Sequence, residues 1–296
     1  MPAVVEQASL SSEDRLWAGL SLPVLSKEEL ANRQAAVEDK VHFYRGVWWR
    51  QARPFFWMPC SPLAQVNHDV TWPHPLRAVF GFTHLSTLGS PTNCSYSAIV
   101  REDPGDYSIG QLSRSRRYAV RKALSHLRVG VVESMDELLA DGYEVYVSCH
   151  QRIGWGTDKS NPRAFAMWMG RAFQQPKQIV LGAYRQQKLI AFMLPCAVEK
   201  VATPSYVASH SDHLACLPND ALFHAFLCIA RQTPGIETVS WGPVSSKPSL
   251  DSFKLHYGTI KRYAAYTWLN PALRALDKTW IRKRYPWLAG SATPTN

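Results

Sequence analysis

The chain has 296 residues, 46% of them hydrophobic, which is enough for one large domain or two smaller ones and too apolar for disorder throughout. Its 33 Lys and Arg against 23 Asp and Glu give a net charge of +10, so anionic partners are favoured: nucleic acid, a phosphorylated cofactor or an anionic membrane face. The six cysteines include no Cys-x-x-Cys pair and no charged-then-apolar leader opens the chain, so a reducing cytoplasm is expected rather than secretion with disulfides. The longest apolar runs, such as 189–198, are strand-sized, well short of the roughly 20 residues that span a bilayer.

In chain order, residues 1–40 read as a mobile lead-in with short helical patches at 13–20 and 27–40. Residues 41–105 are rich in aromatics and proline, and the β-prone runs 41–50, 55–60, 76–82 and 96–101 predict antiparallel strands joined by turns. After the turn signal Asp103-Pro104-Gly105, helical periodicity covers 111–127 and a strand covers 127–132. Ser134 and Glu137 form a capping-box pattern that starts a helix running to Ile153 and stopping at Gly154. Asn161 then caps a further helix, with Pro162 in its first turn and Phe165, Trp168, Met169 and Phe173 on one face.

Three strands follow at 178–184, 188–198 and 203–209, joined by the polar turns Arg185-Gln186-Gln187 and Glu199-Lys200. A loop over 211–218 leads to an apolar helix at 219–232, a strand at 237–241, a short helix at 248–257 closed by Gly258, and a last strand at 260–268. From 178 onward the order is β-β-β-α-β-α-β.

That order, with three segments, resembles the acyltransferase domain of Fem-type aminoacyl transferases and related GNAT proteins. The arginine-rich stretch from Ser113 to Ala123 resembles the helix that opens such domains, and Leu181-Gly182-Ala183-Tyr184 with Lys188-Leu189-Ile190-Ala191 resembles their central hairpin. Leu250, Phe253, Lys254 and Gly258 match a Leu-x-x-Phe-Lys-x-x-x-Gly element near the end of Fem-like domains. The resemblance covers about half the chain. It implies a mixed α/β fold of the GNAT-like acyl-CoA N-acyltransferase kind, a central mixed sheet flanked by helices over 106–270. It also implies a degenerate tandem copy over 41–105, since Fem enzymes contain two. One departure matters: the loop from His210 to Asn219 has no glycine where GNAT proteins cradle the coenzyme A pyrophosphate, which weakens the case for acyl-CoA and suits aminoacyl-tRNA.

Several residues could carry chemistry. At 100° per residue Arg117, Arg121 and Arg128 share one face of the 111–127 segment, opposite Leu112, Ala119, Val120, Ala123 and Leu127. Arg116 falls within the apolar face and needs an anion, either a carboxylate such as Asp136 or Glu144 or a substrate phosphate. Arg117 and Arg121 are further candidates for substrate phosphate, against an ordinary solvated face. The resemblance carries oxyanion stabilisation onto Lys254 and acceptor contact onto Phe253. His210 and Asp212, at the end of the third strand, are candidates for proton transfer from the amine, and the helix start at Leu217, Asn219 and Asp220 for donor contact. His210-x-x-His213 lacks the companions of a zinc site, and no metal is expected.

Together these readings give an N-acyltransferase that moves an acyl or aminoacyl group from acyl-CoA or aminoacyl-tRNA. The expected acceptor is an amine of an envelope precursor, polysaccharide sugar or small metabolite. The alternative is a non-catalytic RNA-binding module on a degenerate acyltransferase fold. A helix over 271–285 mixes Leu273, Leu276, Trp280 and Ile281 with Arg274, Lys278, Arg282, Lys283 and Arg284; with the tail to 296 it either gives a cytoplasmic protein a peripheral contact with the inner face of the membrane or packs against the domain with its cations in solvent.

Overall fold

The computed structural model describes residues 17, 19–37, 40–53, 55–67, 73, 79–154, 161–245 and 247–271. The lead-in ahead of Trp17 and the C-terminal helix beyond Pro271 lie outside the described residues.

The N-terminal part is β1 (Val24–Leu25), α1 (Lys27–Ala36), β2 (Val41–Tyr44), β3 (Val47–Arg53), β4 (Phe56–Pro59), β5 (Gln65–Val66), β6 (Gly81–Ser86) and β7 (Cys94–Glu102). Next come α2 (Arg114–His126), β8 (Arg128–Val131), α3 (Met135–Ala140), α4 (Gly142–Ile153) and α5 (Pro162–Phe173). The chain continues with β9 (Leu181–Arg185), β10 (Lys188–Val198), β11 (Val201–Ser209), α6 (Pro218–Gln232), β12 (Thr238–Pro243), α7 (Pro248–Leu255) and β13 (Thr259–Leu269). The expected order from residue 178 onward is the one observed, and the fold class is the expected mixed α/β.

Several local readings change. The run 41–50 is a hairpin of β2 and β3, the strand expected over 76–82 is observed as β6 at Gly81–Ser86, and β4 and β5 meet β6 in parallel where antiparallel strands are expected. The helix expected over 134–153 breaks at Asp141, whose carboxylate accepts the Leu189 N–H of β10 at 2.9 Å instead of facing solvent. Arg128 leaves the arginine helix, starts β8 and lies 4.0 Å over the Tyr184 ring.

All the strands belong to one mixed sheet, ordered β2-β3-β4-β6-β13-β7-β12-β11-β10-β9-β8, with β1 beside β10 and β5 beside β6. The alternation of side chains along a strand splits the core. Leu181 and Ala183 of β9 face the layer of α2 and α6, while Val180 and Tyr184 face α3, α4 and α5. Largely apolar, α6 is buried from Pro218 to Ala230 apart from Asn219.

The pairing has a near-twofold pattern. β9-β10-β11 run antiparallel, β11 meets β12 in parallel at two residue pairs, and β12 then pairs antiparallel with β7. In the other half β2-β3-β4 run antiparallel, β4 meets β6 in parallel at two residue pairs, and β6 pairs antiparallel with β13. The strand that comes after each parallel pair in sequence thus lies against the opposite half, and β7 and β13 join the halves antiparallel from Thr259↔Val100 to Ala265↔Cys94.

Candidate active site

The site begins with a divergence in the sheet. β11 and β12 pair only at Val201↔Thr238 and Ala202↔Val239, after which β11 stays with β10 and β12 with β7. The strands separate toward their carboxyl ends, and the connecting chain brings the N-terminus of α6 back to that end. Carboxyl ends of diverging neighbours are where open α/β sheets hold ligands.

On the β12 side, three helices meet. Asp220, in the first turn of α6, is 3% exposed. Its Oδ1 accepts Arg116 Nη1 of α2 at 2.5 Å and the Tyr257 hydroxyl at 2.6 Å. Arg116 therefore does sit inward, but its carboxylate is Asp220; Glu144, one of the two partners expected for it, pairs with Lys188 instead. The guanidinium also lies 5.4 Å over the Phe253 ring, which packs edge-on against Phe223. Burial and the neighbouring Asp220 carboxylate hold the Tyr257 hydroxyl well above the usual tyrosine range, so it remains a donor.

Lys254 lies one residue beyond Phe253. Its ammonium is 3.4 Å from the carbonyl of Pro243, the last residue of β12, which puts a cation at the lip of the divergence. Burial lowers its pKa below the ordinary lysine value, opposed by Asp251. Asp251 is the buried side of this helix, while Leu250 is exposed. Asp251 Oδ2 accepts the Ser245 N–H at 2.8 Å and so shapes the loop after β12; its Oδ1 is buried without a hydrogen-bond partner. The glycine that closes the helix, Gly258, is required by close packing: a Cβ there would lie 2.6 Å from the Val100 carbonyl.

The β11 side carries His210 and Asp212 at the start of a 3₁₀ turn, Ser211–Cys216. The turn is anchored by Ser148 of α4, whose Oγ accepts the Ser211 N–H at 2.9 Å, and by Arg152, which donates to the Ser209 carbonyl at 3.0 Å. His210 Nδ1 accepts the Asp212 N–H at 3.3 Å, so the neutral ring carries its proton on Nε2. The Asp212 side chain is 83% exposed.

At the head of α6, Leu217 adopts a left-handed conformation (φ 57°), Pro218 brings no N–H, and the amides of Asp220 and Ala221 both bond back to the Leu217 carbonyl. Asn219 carries the one amide of that turn not bonded back in this way. Arg117 donates to the carbonyls of Gly110 and Leu112, and Arg121 is exposed on the outer face of α2.

No family model matches the chain, and no curated protein matches it in sequence. Among solved structures it superposes on FemX with a TM-score of 0.57 at 11% identity, covering 89% of this chain and 97% of that one. The chain has the fold of FemX. The C-terminal domain (DUF2156) of a protein from Agrobacterium fabrum described as a lysylphosphatidylglycerol synthetase matches at TM-score 0.55 and 13% identity, over 86% of this chain and 98% of that one. L-PGS from Bacillus licheniformis matches at TM-score 0.50 and 9% identity, over 88% and 91%.

Within this Fem-type fold, Arg116, Asp220, Phe253 and Lys254 gather at α2, α6 and α7, while His210 and Asp212 stand on the opposite lip. Sequence reading missed Tyr257 as a partner of Asp220, Asp251 as the anchor of the loop after β12, and Ser148 and Arg152 as supports of the 3₁₀ turn. Tyr257 had a signal, its spacing of four from Phe253; the others arise from contacts between distant segments.

Proposed function

We propose that the chain is an N-acyltransferase whose donor is an aminoacyl ester of tRNA and whose acceptor is an amine on an envelope precursor, polysaccharide sugar or small metabolite. The observation that carries this reading is the half-buried Lys254 ammonium at the lip of the diverging β11–β12 pair. The acceptor nitrogen attacks the ester carbonyl, a C–N bond forms, and the carbonyl oxygen becomes an oxyanion facing Lys254. The amine proton leaves over the opposite lip, by way of His210 and Asp212 or the solvent that bathes them, and collapse breaks the C–O bond to the ribose, whose oxygen takes a proton from solvent and departs as the hydroxyl. A fixed cation helps most where charge exists only in the transition state.

Against acyl-CoA as donor stands the head of α6: one missing N–H, two committed amides and a buried carboxylate form a poor seat for a pyrophosphate, which prefers open amides at a helix start. We read residues 41–105 as a reduced first copy of the fold, on the strength of the repeated pairing pattern, and 106–270 as the acyltransferase unit. The test is to incubate the protein with charged tRNAs and with a panel of acyl-CoAs, together with amine acceptors, and to follow the label. Amide formation from tRNA alone is expected. Transfer from acyl-CoA but not from tRNA overturns the donor, and tRNA binding without any transfer favours a non-catalytic RNA-binding module.

A further inference from the structure

Two opposite charges one turn apart on α7, Asp251 and Lys254, are not bonded to each other. Asp251 Oδ2 is held on the Ser245 amide at 2.8 Å and its Oδ1 is buried without a hydrogen-bond partner, while the Lys254 ammonium rests on the neutral carbonyl of Pro243 at 3.4 Å. Residues three apart on a helix are side-by-side neighbours, and a buried carboxylate ordinarily takes the nearest cation, because an oxygen left without a partner costs the desolvation of its charge. The loop after β12 keeps the two apart. Its Ser245 amide occupies the carboxylate, and two residues earlier its Pro243 carbonyl occupies the ammonium. Lys247 fixes the far end of the same loop by donating to the carbonyl of Ile153, the last residue of α4, at 2.5 Å.

We propose that Asp251 is the positioning residue of Lys254: a counter-charge kept near the ammonium but off it, so that the cation stays charged at the lip and its N–H groups stay open to the oxyanion. A direct salt bridge would satisfy the ammonium in the resting protein and would have to break before the ammonium could turn to the transition state, which stabilises the ground state and slows the chemical step. Charge acting through space has no such effect, and the contact with Pro243 is long for an N–H···O bond and is easily exchanged. The other groups around Lys254 do not substitute for Asp251. Arg116 of α2 and Tyr257 are both taken up by Asp220 of α6, Lys247 donates to Ile153, Lys261 of β13 pairs with Glu102, and β7 passes with the uncharged residues Ser97 to Val100. Burial lowers the pKa of His256, which is neutral where a lysine titrates. Burial and Asp251 thus act on Lys254 in opposite directions. That the arrangement serves turnover rests on the role given to Lys254 under Proposed function; that Asp251 governs its charge does not.

The test titrates Lys254 directly in the full chain, by competitive acetylation with limiting acetic anhydride from about pH 7 to about pH 11 read by peptide mass spectrometry, beside the pH profile of kcat. Asp251→Asn keeps an oxygen for the Ser245 amide and removes the charge. The Lys254 midpoint is expected to fall by about one pH unit with melting unchanged, and the alkaline limb of kcat to fall with it. Asp251→Glu carries the carboxylate one methylene further, onto the ammonium; the midpoint is expected to rise and kcat at neutral pH to drop about tenfold. A residue that only anchors the loop would move melting and leave the midpoint alone. That result in Asp251→Asn overturns the proposal, as does a midpoint that rises in it. If the midpoint falls and the kcat limb does not follow, the coupling of the two charges stands and the role of Lys254 under Proposed function is overturned.

Discussion

The two halves of the sheet repeat one pairing scheme and use it for different ends. Around β11 and β12 the strands separate beyond their two parallel pairs, and α6, Lys254 and the His210 turn surround the gap. Around β4 and β6 the equivalent gap is closed: β5 adds Gln65↔Leu85 and Val66↔Ser86 to the same edge of β6 beyond Trp57↔Phe82. The space near it is filled by Trp49, Trp57, Val66 and Phe82, with Tyr266 and Trp268 of β13 packed alongside. One arrangement of strands thus yields an open cleft or a solid aromatic block, and the element that succeeds the third strand decides between them. A long helix holds the gap open, whereas a two-residue strand plugs it.

If that contrast holds, substitutions should separate stability from turnover. The largest effect is expected for Trp49→Ala, which removes a fully buried ring and should cost about 3–5 kcal/mol in denaturant unfolding; in the folded fraction kcat should stay near wild type. Lys254→Met should do the opposite, keeping the melting curve and the donor affinity while kcat falls by about 10²–10³. An unchanged kcat would remove Lys254 from the reaction.

Arg116→Leu should cost about 3 kcal/mol, because it leaves Asp220 buried with Tyr257 alone. Arg117→Leu, which frees two carbonyls of the preceding turn, should cost about 1 kcal/mol and Arg114→Leu less than about 0.5 kcal/mol. Equal melting shifts for all three would show that Arg116 does not carry the joint between α2 and α6.

The smallest effect is one of pH. Lys254 acts protonated and its folded pKa is lowered by burial, so kcat should fall as pH rises through a value below that of ordinary lysine. Lys254→Arg should move that limb out of range. Stability should move the other way: between the folded and the unfolded pKa the unfolded chain binds more protons, so stability rises with pH over the interval in which activity is lost.

Much of the second half was legible because its signals are local. The Ser134 and Asn161 caps, the polar turns at 185–187 and 199–200, and the Phe253-Lys254 pair each lie within a few residues of the structure they specify. What escaped sequence reading depends on partners far away. Nothing near Asp141 signals that its carboxylate will leave the helix for Leu189, and the charge of Arg116 does not choose between Asp136, Glu144 and Asp220. The exchange of β7 and β13 is of the same kind, since both strands have ordinary β patterns and only the register says which neighbour each takes.

That exchange bears on how the molecule is made. Thr83 of β6 and Thr267 of β13 share a hydrogen bond across 184 residues of chain, so one flank of β6 stays unpaired until β13, synthesised that much later, has emerged from the ribosome. An exposed flank lined with Phe82 and Leu85 invites pairing with a second nascent chain during that interval. Yield in a cell should therefore depend on translation speed and chaperone supply more than on the stability of the finished fold, and either half produced alone should collect as aggregate.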